Sequence, residues 1–216
     1  MCHDDASRPP APPGEPGALA AAGDLTVAER LAYQAVPAEP GPAAVVILPD
    51  MRGLHGFYRE LADRFASAGI AALAIDYDQR SPEDAREGVD HLAAAGFEKI
   101  FTVGFCLGGA ISWAQSAMDD RVAGAIGFYG RPVECAFLIP QMRAPLLVLA
   151  AGDDMLTSAD EARAFDRELS EHGVPHTFVL YDGAPHSFFD GGFAEHAEAS
   201  ADAWRRVLDF IKEFGR

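Results

Sequence analysis

The sequence predicts an α/β fold built on a mainly parallel, doubly wound sheet flanked by helices, and three observations carry that prediction. Six short apolar runs contain almost no polar side chain, as strands covered on both faces do. Amphipathic stretches of helical period separate them. From Leu25 onward the two kinds of segment alternate strictly, which is the order of βα units.

The runs are Ala44–Leu48, Ala71–Ile75, Ile100–Phe105, Gly124–Phe128, Leu146–Ala150 and Thr177–Tyr181. The helix patterns are Tyr58–Ala68, Pro82–Ala95, Gly109–Met118, Ser158–His172 and Glu195–Phe214. In the first of them Leu61, Phe65 and Ala68 recur at the spacing of one buried stripe. Residues 1–23 are dense in Pro, Ala and Gly without apolar periodicity, so they read as a flexible leader. Residues 24–216 then form a single domain, and 216 residues with 49% hydrophobic content suffice for one large core.

A net charge of -16 repels phosphate backbones and anionic lipid, so neither nucleic acid nor a membrane is expected as a partner. No eighteen-residue apolar stretch and no secretory signal pattern occur. Three cysteines, Cys2, Cys106 and Cys135, make no disulfide framework and match no zinc or haem spacing. The expected location is therefore the cytoplasm, without metal or other cofactor, and as a monomer or homodimer.

In sheets of this kind ligands bind beyond the carboxyl ends of the strands, so the residues after each run matter most. The third run leads into Gly104-Phe105-Cys106-Leu107-Gly108-Gly109, a Gly-x-nucleophile-x-Gly turn with cysteine as the nucleophile. The glycines permit a strand-to-helix turn too tight for side chains on either flank. The turn holds the Cys106 sulfur at a helix N-terminus, which favours a thiolate, and offers the Leu107 N–H as an oxyanion donor. The structural alternative, an inert buried cysteine, does not require the glycines.

In α/β hydrolases the chain order is nucleophile, acid, histidine, with the last two after the penultimate and last strands. Here the fifth run is followed by Gly152-Asp153-Asp154 and the sixth by Asp182-Gly183-Ala184-Pro185-His186-Ser187-Phe188. His186 is the candidate general base, and Asp153 or Asp154 the acid that orients it. The other aspartate caps the helix near Ser158 or faces water. The remaining six histidines, His55 among them, have no comparable partners in the sequence. Class I glutamine amidotransferases also use a cysteine elbow but place Glu two residues after the histidine, where this chain has Phe188.

Together the Gly-Phe-Cys-Leu-Gly-Gly elbow, the Gly152-Asp153-Asp154 turn and the Gly183–Phe188 loop resemble the dienelactone hydrolase family over about Val45 to Phe214. The resemblance implies an α/β-hydrolase fold and a triad of Cys106, Asp154 and His186, since the family's acid is the last residue of its Gly-x-Asp turn. It further implies that Pro49–Leu54 matches the family's oxyanion segment. Asp50 would then replace an active-site Glu there, and Met51 would supply the second oxyanion N–H. Arg80, in Asp76-Tyr77-Asp78-Gln79-Arg80, matches the arginine that holds a substrate carboxylate. At a second substrate arginine, four residues past the histidine, this chain has Asp190, which disfavours an anionic substrate.

The expected activity is hydrolysis of small esters or lactones through a thioester on Cys106. Two other readings are a non-catalytic small-molecule binding or sensing protein on the same scaffold, and a redox thiol paired with Cys135.

Overall fold

A computed structural model describes residues 3–76 and 81–216. Its eight-stranded sheet has the order β1-β2-β4-β3-β5-β6-β7-β8. The six apolar runs are β3 (Ala43–Leu48), β4 (Ala71–Ile75), β5 (Lys99–Phe105), β6 (Val122–Phe128), β7 (Leu146–Asp153) and β8 (His176–Pro185). All six are parallel neighbours. The helices are α1 (Gly56–Ser67), α2 (Pro82–Ala94), α3 (Leu107–Met118), α4 (Ala159–Glu171) and α5 (Ala197–Phe214), each within a few residues of its predicted span.

Burial explains the patterning. Every residue of β3 and β4 is buried, because helices cover both faces. On one face α1 and α5 pack Phe57, Leu61, Phe65, Trp204 and Val207 against the sheet. The other face holds Val89 and Leu92 of α2, Trp113 of α3, and Phe165 and Leu169 of α4.

Two strands were not predicted. β1 (Leu19–Val27) and β2 (Arg30–Pro37) form an antiparallel hairpin that joins the sheet edge through β4. Most of β1 is exposed, so it carries little apolar signal. The turn between the two uses Ala28 and Glu29 at φ 46° and 70°, left-handed positions where glycine or asparagine usually gives the hairpin away.

The flexible leader expected over residues 1–23 is corrected by the same region. Residues 19–23 belong to β1, and the described residues before them, 3–18, are seated on the domain. The Trp204 indole donates to Pro10 O at 2.8 Å, Gly17 N–H to Ser67 O at 2.7 Å, and Gly191 N–H to Arg8 O at 2.7 Å. A proline-rich segment has little backbone entropy to lose and few donors to satisfy, so a handful of such bonds holds it.

From β3 the chain crosses to β4 on one side, and β5 then lies on the other, so the crevice beyond β3 and β5 is the topological switch point. Cys106 directly follows β5, Asp154 follows β7, His186 follows β8, and the Pro49–Gly53 loop follows β3.

Candidate active site

The elbow is built from steric necessity. A Cβ on Gly104 would lie 1.8 Å from Gly108 O, and one on Gly108 would lie 2.1 Å from Leu48 O and 2.4 Å from Pro49 O. Only hydrogen fits, so α3 starts in direct contact with the ends of β3 and β5. Cys106 stands between strand and helix at φ 56°, ψ -116°, with its N–H bonded to Phe128 O at 3.0 Å. Tyr129 (φ 38°) and Ser187 (φ 63°) also hold left-handed backbone at this edge, a concentration of strain typical of working sites.

Geometry separates the two candidate acids. Asp154 Oδ2 accepts from His186 Nδ1 at 2.7 Å, with both side chains almost wholly buried. Its other oxygen accepts from Leu156 N–H at 2.8 Å, which fixes the carboxylate plane. Asp153 is exposed and caps nothing, because Ser158 and Glu161 form the capping box of α4 themselves. A donor at Nδ1 leaves the His186 Nε2 lone pair for proton transfer, and this buried atom has no hydrogen-bond partner among the described residues. Tyr129 packs on the His186 ring at 4.9 Å between centroids. Tyr129 follows the residue that receives the Cys106 N–H, so the elbow and the histidine loop share one support.

Asp50 is 1% exposed. Its Oδ1 accepts from Arg52 N–H at 2.8 Å and its Oδ2 from His3 N–H at 3.1 Å, while its own N–H donates to the Tyr58 hydroxyl at 2.9 Å. These bonds shape the loop that carries Met51, whose side chain points to solvent. Leu107 opens α3. Arg80, the expected carboxylate clamp, lies outside the described residues.

Sequence reasoning missed His3. It is 1% exposed, stacks on Phe57 at 3.7 Å, hydrogen-bonds the Tyr129 hydroxyl through Nε2 at 2.8 Å, and receives Arg52 Nη1 on its carbonyl at 2.5 Å. Burial pushes its pKa down against the pull of Asp190 and Asp50. No local pattern around His3 signals this placement, because every partner is distant in sequence.

Asp190 anchors the same segment. Burial alone would raise its pKa, but the polar side chains of His3 and Ser7 nearby and the hydrogen bonds from the N–H groups of Gly192 and Arg8 outweigh it and hold the group below its ordinary 3.8. A carboxylate depressed in the folded state stabilises above its unfolded pKa and loses that effect only as pH falls through the lower folded value. We therefore expect the Arg8 and Gly191 amides to stay protected from hydrogen exchange, corrected for intrinsic rates, from pH 7 to about pH 4. Lost protection at pH 5 would contradict this.

Cys135 is fully buried in the apolar cluster beneath α3 and α4, apart from the cluster that holds Cys106. Burial pushes its thiol up to about 12, so it is not itself a ready thiolate at neutral pH. Among the described residues no group of His, Cys, Asp and Glu is placed to hold a metal ion, and no helix is long and apolar enough to cross a membrane.

The strand order, with a strained strand-to-helix turn at its switch point, defines an α/β hydrolase fold. Residues 78–215 match the family described as Dienelactone hydrolase family. A protein of Saccharolobus solfataricus, provisionally named a carboxymethylenebutenolidase, is 30% identical over 79% of this chain and 68% of its own. One of Methylorubrum extorquens AM1, with the same provisional name, is 27% identical over 85% of this chain and 77% of its own. A crystal structure provisionally titled as a dienelactone hydrolase, from Klebsiella pneumoniae subsp. pneumoniae MGH 78578, superposes with a TM-score of 0.77. It covers 90% of this chain and 99% of that one at 22% identity, a likeness of fold. The chain belongs to the dienelactone hydrolase family, and it is an enzyme of the ester- and lactone-cleaving kind.

Proposed function

We propose that the enzyme cleaves small ester or lactone substrates by covalent catalysis at Cys106. The observation that carries this reading is the 2.7 Å bond from His186 Nδ1 to Asp154, which leaves Nε2 as a base at the sheet edge where Cys106 follows β5.

His186 Nε2 takes the thiol proton, and the thiolate adds to the carbonyl carbon. The Leu107 and Met51 N–H groups stabilise the oxyanion. Collapse breaks the bond to the leaving oxygen, which receives the proton from His186, and the acyl group stays on Sγ as a thioester. His186 then deprotonates a water that attacks the thioester. The acid is released and the thiol re-forms. With a lactone both fragments leave as one hydroxy acid. Asp154 keeps the proton on Nδ1 and stabilises the imidazolium, while Asp50 organises the Met51 loop from behind.

Asp154→Asn keeps the shape but lets the amide donate to Nδ1, favouring the wrong tautomer. We expect kcat for an activated ester to fall by about a thousandfold with KM little changed. A change within about threefold would remove Asp154 from the relay.

A further inference from the structure

Beside His186 lies a cavity of about 530 Å³, walled on one side by residues of the His3–Arg8 segment and on the other by the loops after β7 and β8. Four carboxylates line it, Asp4, Asp153, Asp154 and Asp190, and no lysine or arginine appears among its described lining. Asp154 is bonded to His186, and of the others Asp190 has the His3 ring 3.9 Å away, a ring whose pKa burial pushes down. Two buried nitrogens, His186 Nε2 and His3 Nδ1, belong to lining residues and have no hydrogen-bond partner among the described residues. The cavity therefore combines a negative wall with polar atoms left for a ligand.

The segment is held there by its own chain. Asp190 Oδ1 accepts from Arg8 N–H at 3.2 Å and Gly192 N–H at 2.8 Å, and its Oδ2 lies 3.9 Å from His3 Nδ1. On the other side Asp50 and Arg52 clasp the backbone of His3. These contacts carry Asp4 to the rim, where its Oδ1 folds the strap by accepting from the N–H groups of Ala6 and Ser7 at 2.8 and 2.9 Å.

We infer that the His3–Arg8 strap is a specificity element, latched by Asp190, whose acidic wall makes the site take substrates that are neutral or cationic where they face it and turn away those bearing a carboxylate. The inference rests on Cys106 and His186 being the reacting pair. It adds the charge class of the substrate and assigns Asp4 and Asp190 to selecting it.

Alkylation of Cys106 tests it without turnover. The full-length protein is treated with iodoacetamide or with iodoacetate, which are alike in size and differ in charge, and the Cys106 peptide is followed by mass spectrometry against glutathione as reference. We expect the preference for the amide at Cys106 to exceed that of glutathione by about tenfold, and Asp190→Asn to shrink the excess at least severalfold. Asp4→Asn, an exposed and isosteric change that keeps the strap's acceptor, should shrink it in the same direction should Asp190→Asn fold poorly. Equal rates, a preference for iodoacetate, or an excess unmoved by either variant would overturn the specificity role and leave the nucleophile standing. If neither reagent labels Cys106 faster than Cys135, the nucleophile reading itself fails, and the inference falls with it.

Discussion

Exchange of Cys106 for alanine is expected to lower kcat/KM for a small activated ester by about 10⁴-fold or more, because it removes the proposed carrier of the acyl group. The size of the effect follows from covalent catalysis. His186 and the oxyanion donors remain, and what is left is the modest acceleration a polarised carbonyl gives to direct attack by water. The fold survives the change. Alanine meets the same left-handed strain at φ 56° as cysteine does, and only one buried atom is lost. The melting temperature should fall by no more than about 4 °C, which separates loss of the nucleophile from loss of structure. Substantial residual turnover in this variant would show that the carbonyl is attacked by something else.

Gly108→Ala has the second large effect, by a different route. The added methyl would sit 2.1 Å from Leu48 O and 2.4 Å from Pro49 O, and both are backbone atoms that no rotamer change can move aside. The first turn of α3 must shift away from the end of β3, which parts Leu107 from the loop that carries Met51. Overpacking of this kind costs about 3 kcal/mol, or roughly 10 °C in melting temperature for a chain of this size. Activity should drop by at least a hundredfold even where the variant is fully folded, since the proposed oxyanion donors at Leu107 and Met51 would be drawn apart. Calorimetry and ester kinetics on one preparation check both halves. An active, stable alanine variant would mean that this contact does not set the site.

Cys106 and Gly108 also belong to the part of the site that is legible in the sequence alone. The elbow was visible because its chemistry demands glycine at fixed offsets, and the central strands because double-sided burial leaves unbroken apolar runs such as Ala44–Leu48. His186 stood out through its place after the last strand. Asp153 and Asp154 were equivalent as letters. The family resemblance favours Asp154, and the 2.7 Å approach to His186 agrees with it, since adjacent side chains diverge in direction. β1 was missed because an exposed edge strand has no apolar face to advertise. The strap was missed for a related reason. Composition reports the entropy that ordering costs, but not the distant partners Asp50, Asp190 and Trp204 that offset it. His3 and Asp190 thus looked unrelated although they line one cavity.

The proposed reaction path passes through an acyl group on the Cys106 sulfur, and a single-turnover quench tests it directly. The enzyme, in excess over an activated ester, is stopped in acid within milliseconds and the acyl mass is located by peptide mapping. The acyl group should appear on the peptide carrying Cys106, be removed by neutral hydroxylamine, and be absent after Cys106→Ala. Recovery of the acyl group on any other side chain while ester is being consumed would contradict the mechanism.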